Sequence, residues 1–194
     1  MPVTLNASTS SGLIATSDTS GTIALQSNGT TKATISASGF SYPGAVLQVI
    51  QTIKTDTFST TSGTLTDITG MSVTITPSSA SNKILVQYSL GELIHNSGSV
   101  TGVALLRGST VIGAGATAGN RILVSTGAID DADRGSPHAY TFLDSPATTS
   151  ATTYKLQIYI NGGNTIFLNR SATDSDSTTY NRAASTITVM EIAV

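Results

Sequence analysis

The 194-residue chain has a net charge of −2, and only 10% of its residues are charged, against about 25% in an ordinary soluble domain. Its nine Lys and Arg residues are scattered singly, which excludes the electrostatic footprint of a nucleic-acid binder, and the lack of Cys excludes disulfides, thiolate nucleophiles and thiolate metal sites. No stretch approaches the roughly 20 apolar residues that span a bilayer, so membrane insertion is not expected, and Ser, Thr, Gly and Asn fill the places that charges usually take.

Small uncharged polar groups cost less to desolvate than Lys or Glu, so this composition favours a protein that packs into an assembly. The start, MPVTLNASTSSGLIATSDTS, lacks a basic n-region and an apolar h-region. The chain is therefore expected to be made and kept in the cytoplasm until assembled.

Residues 1–45 are short alternating pieces broken by Ser, Thr and Gly and ended by the turn signal Tyr42-Pro43-Gly44, which marks the expected boundary between an arm, 1–45, and a domain, 46–194. Within the arm, Ile23 and Leu25, then Ala33 and Ile35, alternate with polar residues around Ser27-Asn28-Gly29, the pattern of a two-stranded ribbon. A two-residue Asn-Gly turn sets Lys32 opposite Leu25. A three-residue loop with Gly29 in the left-handed position sets Ile23 opposite Ala33 and Leu25 opposite Thr31, and is the preferred register because apolar side chains then share a face. Such a ribbon has no second layer, so its cover is expected from sister chains or a partner.

After Pro43, apolar alternations of strand length follow one another: Leu47 to Ile53; Met71, Val73, Ile75; Ile84 to Leu90; Val103 to Leu106; Tyr140 and Phe142; Tyr154 to Ile160; Ile166 to Leu168; and Ile187 to Ile192. About eight strands at this spacing predict an all-β, antiparallel jelly-roll sandwich. Turn clusters separate them at 77–82, 95–98, 145–147 and 161–164, one short helical turn is expected at 128–134, and two connections without strand texture, 115–137 and 169–183, have the length of functional loops. In the last segment Ile187 and Val189 alternate with threonines, but Met190 and Ile192 occupy the opposite parity around Glu191. Either a bulge shifts the strand or both faces are covered, and the second reading places Met190 and Ile192 at a subunit interface of a homotrimer.

Few constellations point to chemistry. GAGATAG, residues 113–119, has neither the spacing nor the following helix of a nucleotide loop and reads as a turn. Asp130, Asp131, Asp133, Asp174 and Asp176 include oxygen ligands suited to calcium but fit a solvated loop better. His95 and His138 sit beside turn residues and read as surface or interface hydrogen bonders, and no nucleophile elbow accompanies them. Glu92 and Glu191 are expected to point outward or meet a basic partner rather than form a hydrolytic pair. Tyr42, Tyr88, Tyr140, Tyr154 and Tyr159 read as packing residues; Tyr180, in a long polar loop, is the candidate stacking platform for a host sugar. No cofactor or metal is expected.

The segments GTIALQSNGTTKATIS, GAVLQVIQTIKTDTFSTTSGTLTDITGMSVTITPSSASNKILVQYSL, YTFLDSPATTSATTYKLQIYI and STITVMEIAV resemble bacteriophage fibre or spike-type virion proteins with a C-terminal jelly roll, found in phages of marine bacteria. The resemblance spans most of residues 20–194 and misses the two long loops. It implies a non-enzymatic, trimeric virion protein of tail-fibre type that engages the host cell surface, a glycan or a protein, and docks to other virion proteins through residues 1–45; it carries over no catalytic residue. The chain lacks a long repetitive shaft, so a capsid head fibre or decoration protein with a purely structural role is the alternative. A hydrolase acting on surface glycans is the third hypothesis and requires convergent acids in a groove.

Overall fold

The computed structural model describes residues 21–37, 39–96, 99–127 and 135–194, and all the regular structure among them is strand. The helical turn expected at 128–134 and the carboxylates of Asp130, Asp131 and Asp133 lie outside the described residues. By its contacts the chain divides into two compact units, Met1–Ala45 and Val46–Val194.

In the first unit β1 (Ile23–Ser27), β2 (Thr30–Ser36) and β3 (Gly39–Ser41) form an antiparallel sheet in that order. The expected two-stranded ribbon thus gains a third strand. The turn differs from the three-residue loop preferred above: Asn28 and Gly29 both have positive φ, 51° and 71°, and Ser27 lies opposite Thr30, a two-residue turn whose twist suits the hairpin. The register is then reset by a bulge in which Lys32 is the extra residue, so that Leu25 faces Ala33 and Ile23 faces Ile35. The bulge gives this turn the apolar pairing that the plain register would have lost to Lys32.

In the second unit all eight expected segments are strands: β4 (Val46–Lys54), β6 (Thr66–Ile75), β7 (Lys83–His95), β8 (Thr101–Arg107), β11 (Ser136–Asp144), β12 (Thr152–Ile160), β13 (Ile166–Leu168) and β14 (Ser185–Ile192). Three short strands escaped the sequence reading: β5 (Phe58–Thr60), β9 (Thr110–Ile112) and β10 (Thr126–Gly127). Strand structure therefore enters the 115–137 connection at both β10 and the start of β11.

The order of the main strands is that of a jelly roll. One sheet runs β4-β14-β7-β11, with β13 and β5 continuing it along the far half of β7; the other runs β6-β12-β8, and β9 and β10 share the place beyond β8. Early strands pair antiparallel with late ones, β4 with β14, β6 with β12, β7 with β11, as in a long hairpin rolled into two layers. The inward parity fills the space between the sheets: Ile84, Val86, Leu90, Ile187 and Val189 from one, and Met71, Val73, Leu105, Leu156 and Ile158 from the other. Each such side chain contributes about 1.5–3 kcal/mol by leaving water. Asp144, at the end of β11, ties the layers by accepting from Arg107 of β8 at 2.8 Å and from the Tyr154 hydroxyl of β12 at 2.6 Å.

Candidate functional site

The change of parity in β14 has a simple cause. Ile187, Val189 and Glu191 all face inward and are fully buried, while Thr186, Thr188, Met190 and Ile192 line the outer face. The alternation is unbroken; a carboxylate takes a core-facing position at the end of the sandwich. A bulge is also present, between Glu191 and Ile192 in the pairing with β4.

Glu191 neither points outward nor meets a cation, contrary to the sequence expectation. Its Oε1 accepts from the Ser78 amide at 2.7 Å, the Ser78 hydroxyl at 2.8 Å and Asn82 Nδ2 at 2.7 Å, and its Oε2 accepts from Gln48 Nε2 at 2.6 Å. Burial alone raises the pKa of such a group, but the bonds from Asn82, Gln48 and Ser78 together outweigh it and hold the carboxyl below its usual value. These residues come from β4, the 76–82 turn and β14, so the cluster is structural.

The outer face of β4, β14, β7 and β11 carries three cross-strand rows. Val49, Met190, Leu85 and Leu143 lie opposite one another in the first; Gln51, Thr188, Gln87 and Thr141 in the second; and Ile53, Thr186, Ser89 and Ala139 in the third. None of these side chains is ionisable. Val49 is 57% and Leu143 48% exposed at the two ends of the apolar row, and Ile53 is 58% exposed. The outer face of the other sheet is of ordinary character: Asp67 pairs with Lys155 at 2.8 Å and accepts from Gln157 at 2.7 Å, and Thr74 bonds Thr153. Charge on this face stands at the border of the rows, where Lys83 lies opposite Ile192 and its Nζ donates to Ser145 Oγ at 3.4 Å. Met190 and Ile192 both lie on the outer face of β4, β14, β7 and β11; Val49, Leu85 and Leu143 were not singled out, although the apolar residues at both parities of Val46–Ile53 were a readable signal.

The first unit has its own apolar face. Ile23, Ile35 and Phe40 form a row across its three strands, Leu25 pairs with Ala33 beside it, and the Phe40 ring meets Tyr42 at 5.7 Å. Ile23, Leu25, Ile35 and Phe40 are all exposed.

The 169–183 connection is a braced loop. Arg170 and Arg182 bridge through their backbones, Asp174 receives Arg182 Nη2 at 2.5 Å and Arg170 Nη1 at 3.3 Å, and the Arg170 guanidinium lies 4.5 Å from the Phe167 ring centre. The Arg182 guanidinium beside Asp174 holds its carboxyl below the usual value. Asp174 is thereby committed to two cations, which argues against its use as a calcium ligand. At the loop's base Asn169, fully buried, donates to the carbonyls of Lys54 and Asp56 and accepts from Ser185 at 2.6 Å.

Between this loop and β7 lies a cleft of about 720 Å³ lined by Glu92, Ser171, Thr179, Tyr180 and Asn181, with Ile94 at its floor. Tyr180 and Asn181 also line a second hollow of about 410 Å³ beside Asp174 and Asp176. Tyr180 is 38% exposed, and Asn181 is fixed by its amide donating to Ser171 Oγ at 3.1 Å. Glu92 Oε2 is buried without a hydrogen-bond partner among the described residues, and burial pushes this carboxyl up from its usual value. Gly135 closes over it: a Cβ there would stand 2.5 Å from Glu92 Oε1.

Glu92 and Glu191 cannot act as a pair. Glu191 lies opposite Ile84 on β7, eight residues from Glu92, a separation of about 26 Å at about 3.3 Å per residue, where glycoside hydrolysis needs about 5–9.5 Å. Of the two histidines, His95 differs from the expectation of a surface position. His95 ends β7 rather than starting a turn and is fully buried; His138 lies on β11, its Nε2 3.2 Å from Ser136 Oγ, and burial lowers its pKa. Tyr88, Tyr154 and Tyr159 are buried, Tyr140 partly so, and Tyr42 is exposed. In 113–119, Gly113 packs against the Phe142 and Tyr140 rings, and the Tyr140 hydroxyl donates to its carbonyl at 2.7 Å. No protein-family model matches this chain, and no curated protein matches it.

Proposed function

We propose that the chain is a non-enzymatic structural protein of a bacteriophage particle, a short homotrimeric fibre or spike of tail-fibre type, displayed on the virion and engaging the host cell surface. The observation that carries this reading is the set of three rows without an ionisable side chain on the outer face of β4, β14, β7 and β11, bordered by Lys83 opposite Ile192. An apolar row bounded by exposed Val49 and Leu143 and flanked by hydroxyls and amides has the composition of the core of a subunit interface, from which charge is depleted. Three copies turning this face toward a common axis bury Met190 and Ile192 and leave the Asp67–Lys155 face in water. The exposed Ile23–Ile35–Phe40 row supports a docking role for residues 1–45, toward sister chains or other virion proteins. The resemblance of the strand sequences to phage fibre proteins supports the same assignment.

The test is location. Antibody labelling of intact particles is expected to mark the tail; label at capsid vertices or hexamer centres assigns the chain to a head fibre or decoration protein instead, and particles without the chain contradict a virion role.

A further inference from the structure

We propose that the cleft between β7 and the 169–183 loop binds an uncharged sugar ring, with Tyr180 covering an apolar face of the ring and Glu92 and Asn181 taking its hydroxyls. The inference deepens the host-contact reading above and rests on it for its biological meaning. At about 720 Å³ the cleft lies within the range of small-ligand sites, about 300–1,000 Å³.

The lining selects the ligand class. Among the described residues it offers a carboxylate, a carboxamide, three hydroxyls from Ser171, Thr173 and Thr179 and one aromatic ring, and no Lys or Arg, so an anion would meet Glu92 without a counter-charge from them. A hard cation is disfavoured too, because among the described residues no three carboxylates or histidines converge. An apolar ligand would strand the polar lining. A pyranose presents hydroxyl donors around its edge and C–H groups on its faces, which matches acceptors arranged beside a tyrosine.

Glu92 gives the site its driving contact. Its buried Oε2 has no donor among the described residues, a costly state that a sugar hydroxyl relieves. The loop side is preorganised: the Arg170–Asp174–Arg182 brace and the Asn181 to Ser171 bond hold Ser171, Tyr180 and Asn181 in place before binding, so little ordering remains to oppose it.

Saturation-transfer NMR on the full-length protein, with methyl glycosides of glucose, galactose, mannose and N-acetylglucosamine at millimolar concentration, tests this. Transfer to at least one sugar is expected, with affinity falling at least tenfold in Tyr180→Ala and in Glu92→Gln. Tyr180 is exposed, so its variant keeps the fold and carries the test even if Glu92→Gln does not fold. Absence of transfer from all four sugars, or unchanged affinity in Tyr180→Ala, overturns the proposal, as does glucosamine binding more than tenfold tighter than glucose, which would make Glu92 an ammonium partner. Native mass of the same sample reads assembly independently: a trimer without sugar binding overturns this inference alone, and sugar binding by a monomer sustains it while removing the assembly reading.

Discussion

Asn82 Nδ2 donates to Glu191 Oε1 at 2.7 Å inside the end of the sandwich, while Asn82 Oδ1 accepts from the Val194 amide at 3.3 Å. The 76–82 turn, the last strand and the end of the chain are thus joined through one carboxylate and one carboxamide. Glu191→Ala leaves the donors of Asn82, Gln48 and Ser78 without their acceptor in a buried place, and is expected to cost about 2–4 kcal/mol. Urea denaturation checks this; a cost under about 1 kcal/mol would mean that water replaces the carboxylate freely.

Glu191 and Glu92 give stability opposite dependences on pH. Glu191 titrates below its unfolded value, so its contribution is fully present above that value, near 4.5, and is lost as pH falls through the lower folded value. Glu92 titrates above its unfolded value, so its ionisation penalises the fold once pH exceeds the folded value, and the penalty fades as pH drops toward the unfolded one. Thermal melts from pH 3 to 7 are expected to show Glu92→Gln gaining on the wild type as pH rises, and Glu191→Gln losing its deficit as pH falls from 4.5 toward the lower folded value. Parallel profiles for both variants would contradict the assignment.

The loop brace should act locally. Asp174→Asn removes the acceptor shared by Arg170 and Arg182, and hydrogen exchange at the Asn181 and Ala183 amides is expected to accelerate while the melting temperature of the sandwich stays unchanged. Unchanged exchange at both amides would show that the Arg170–Arg182 bridge alone holds the loop.

Much of the fold was legible because burial imposes a period of two. The inward residues of Ile84–Leu90 and Tyr154–Ile160 alternate so regularly that strand and facing follow together. β5, β9 and β10 were not legible, since two or three residues cannot show a period and their pairing comes from neighbours distant in sequence. The hairpin register failed for a related reason: the bulge at Lys32 trades a ladder position for the Leu25–Ala33 and Ile23–Ile35 contacts, a choice visible only across the two strands. At the candidate site, Tyr180 was legible as an aromatic in a polar loop, whereas the setting of Glu92 was not, because the 169–183 loop and Gly135 that close on it are distant in sequence. Glu191 escaped because a buried carboxylate without a cation is rare, and only the turn at 76–82 supplies its donors.

The arm and the sandwich are expected to separate functionally. Deleting residues 2–40 removes β1, β2 and the exposed Ile23–Ile35–Phe40 row but no strand of the jelly roll, so the truncated chain should keep the sandwich's melting temperature and lose incorporation into particles. Truncated protein that co-purifies with virions at normal copy number would place docking on the jelly roll.

Assembly through the sheet face that carries the Val49–Met190–Leu85–Leu143 row is the claim on which the account turns. Native mass spectrometry of the full chain at micromolar concentration measures it directly, with Met190→Asp, which sets a carboxylate midway along the Val49–Met190–Leu85–Leu143 row, as the paired sample. The account predicts a mass three times that of the 19.7 kDa chain for the wild type and the monomer mass for the variant; a wild-type monomer, or a trimer that Met190→Asp leaves intact, would contradict it.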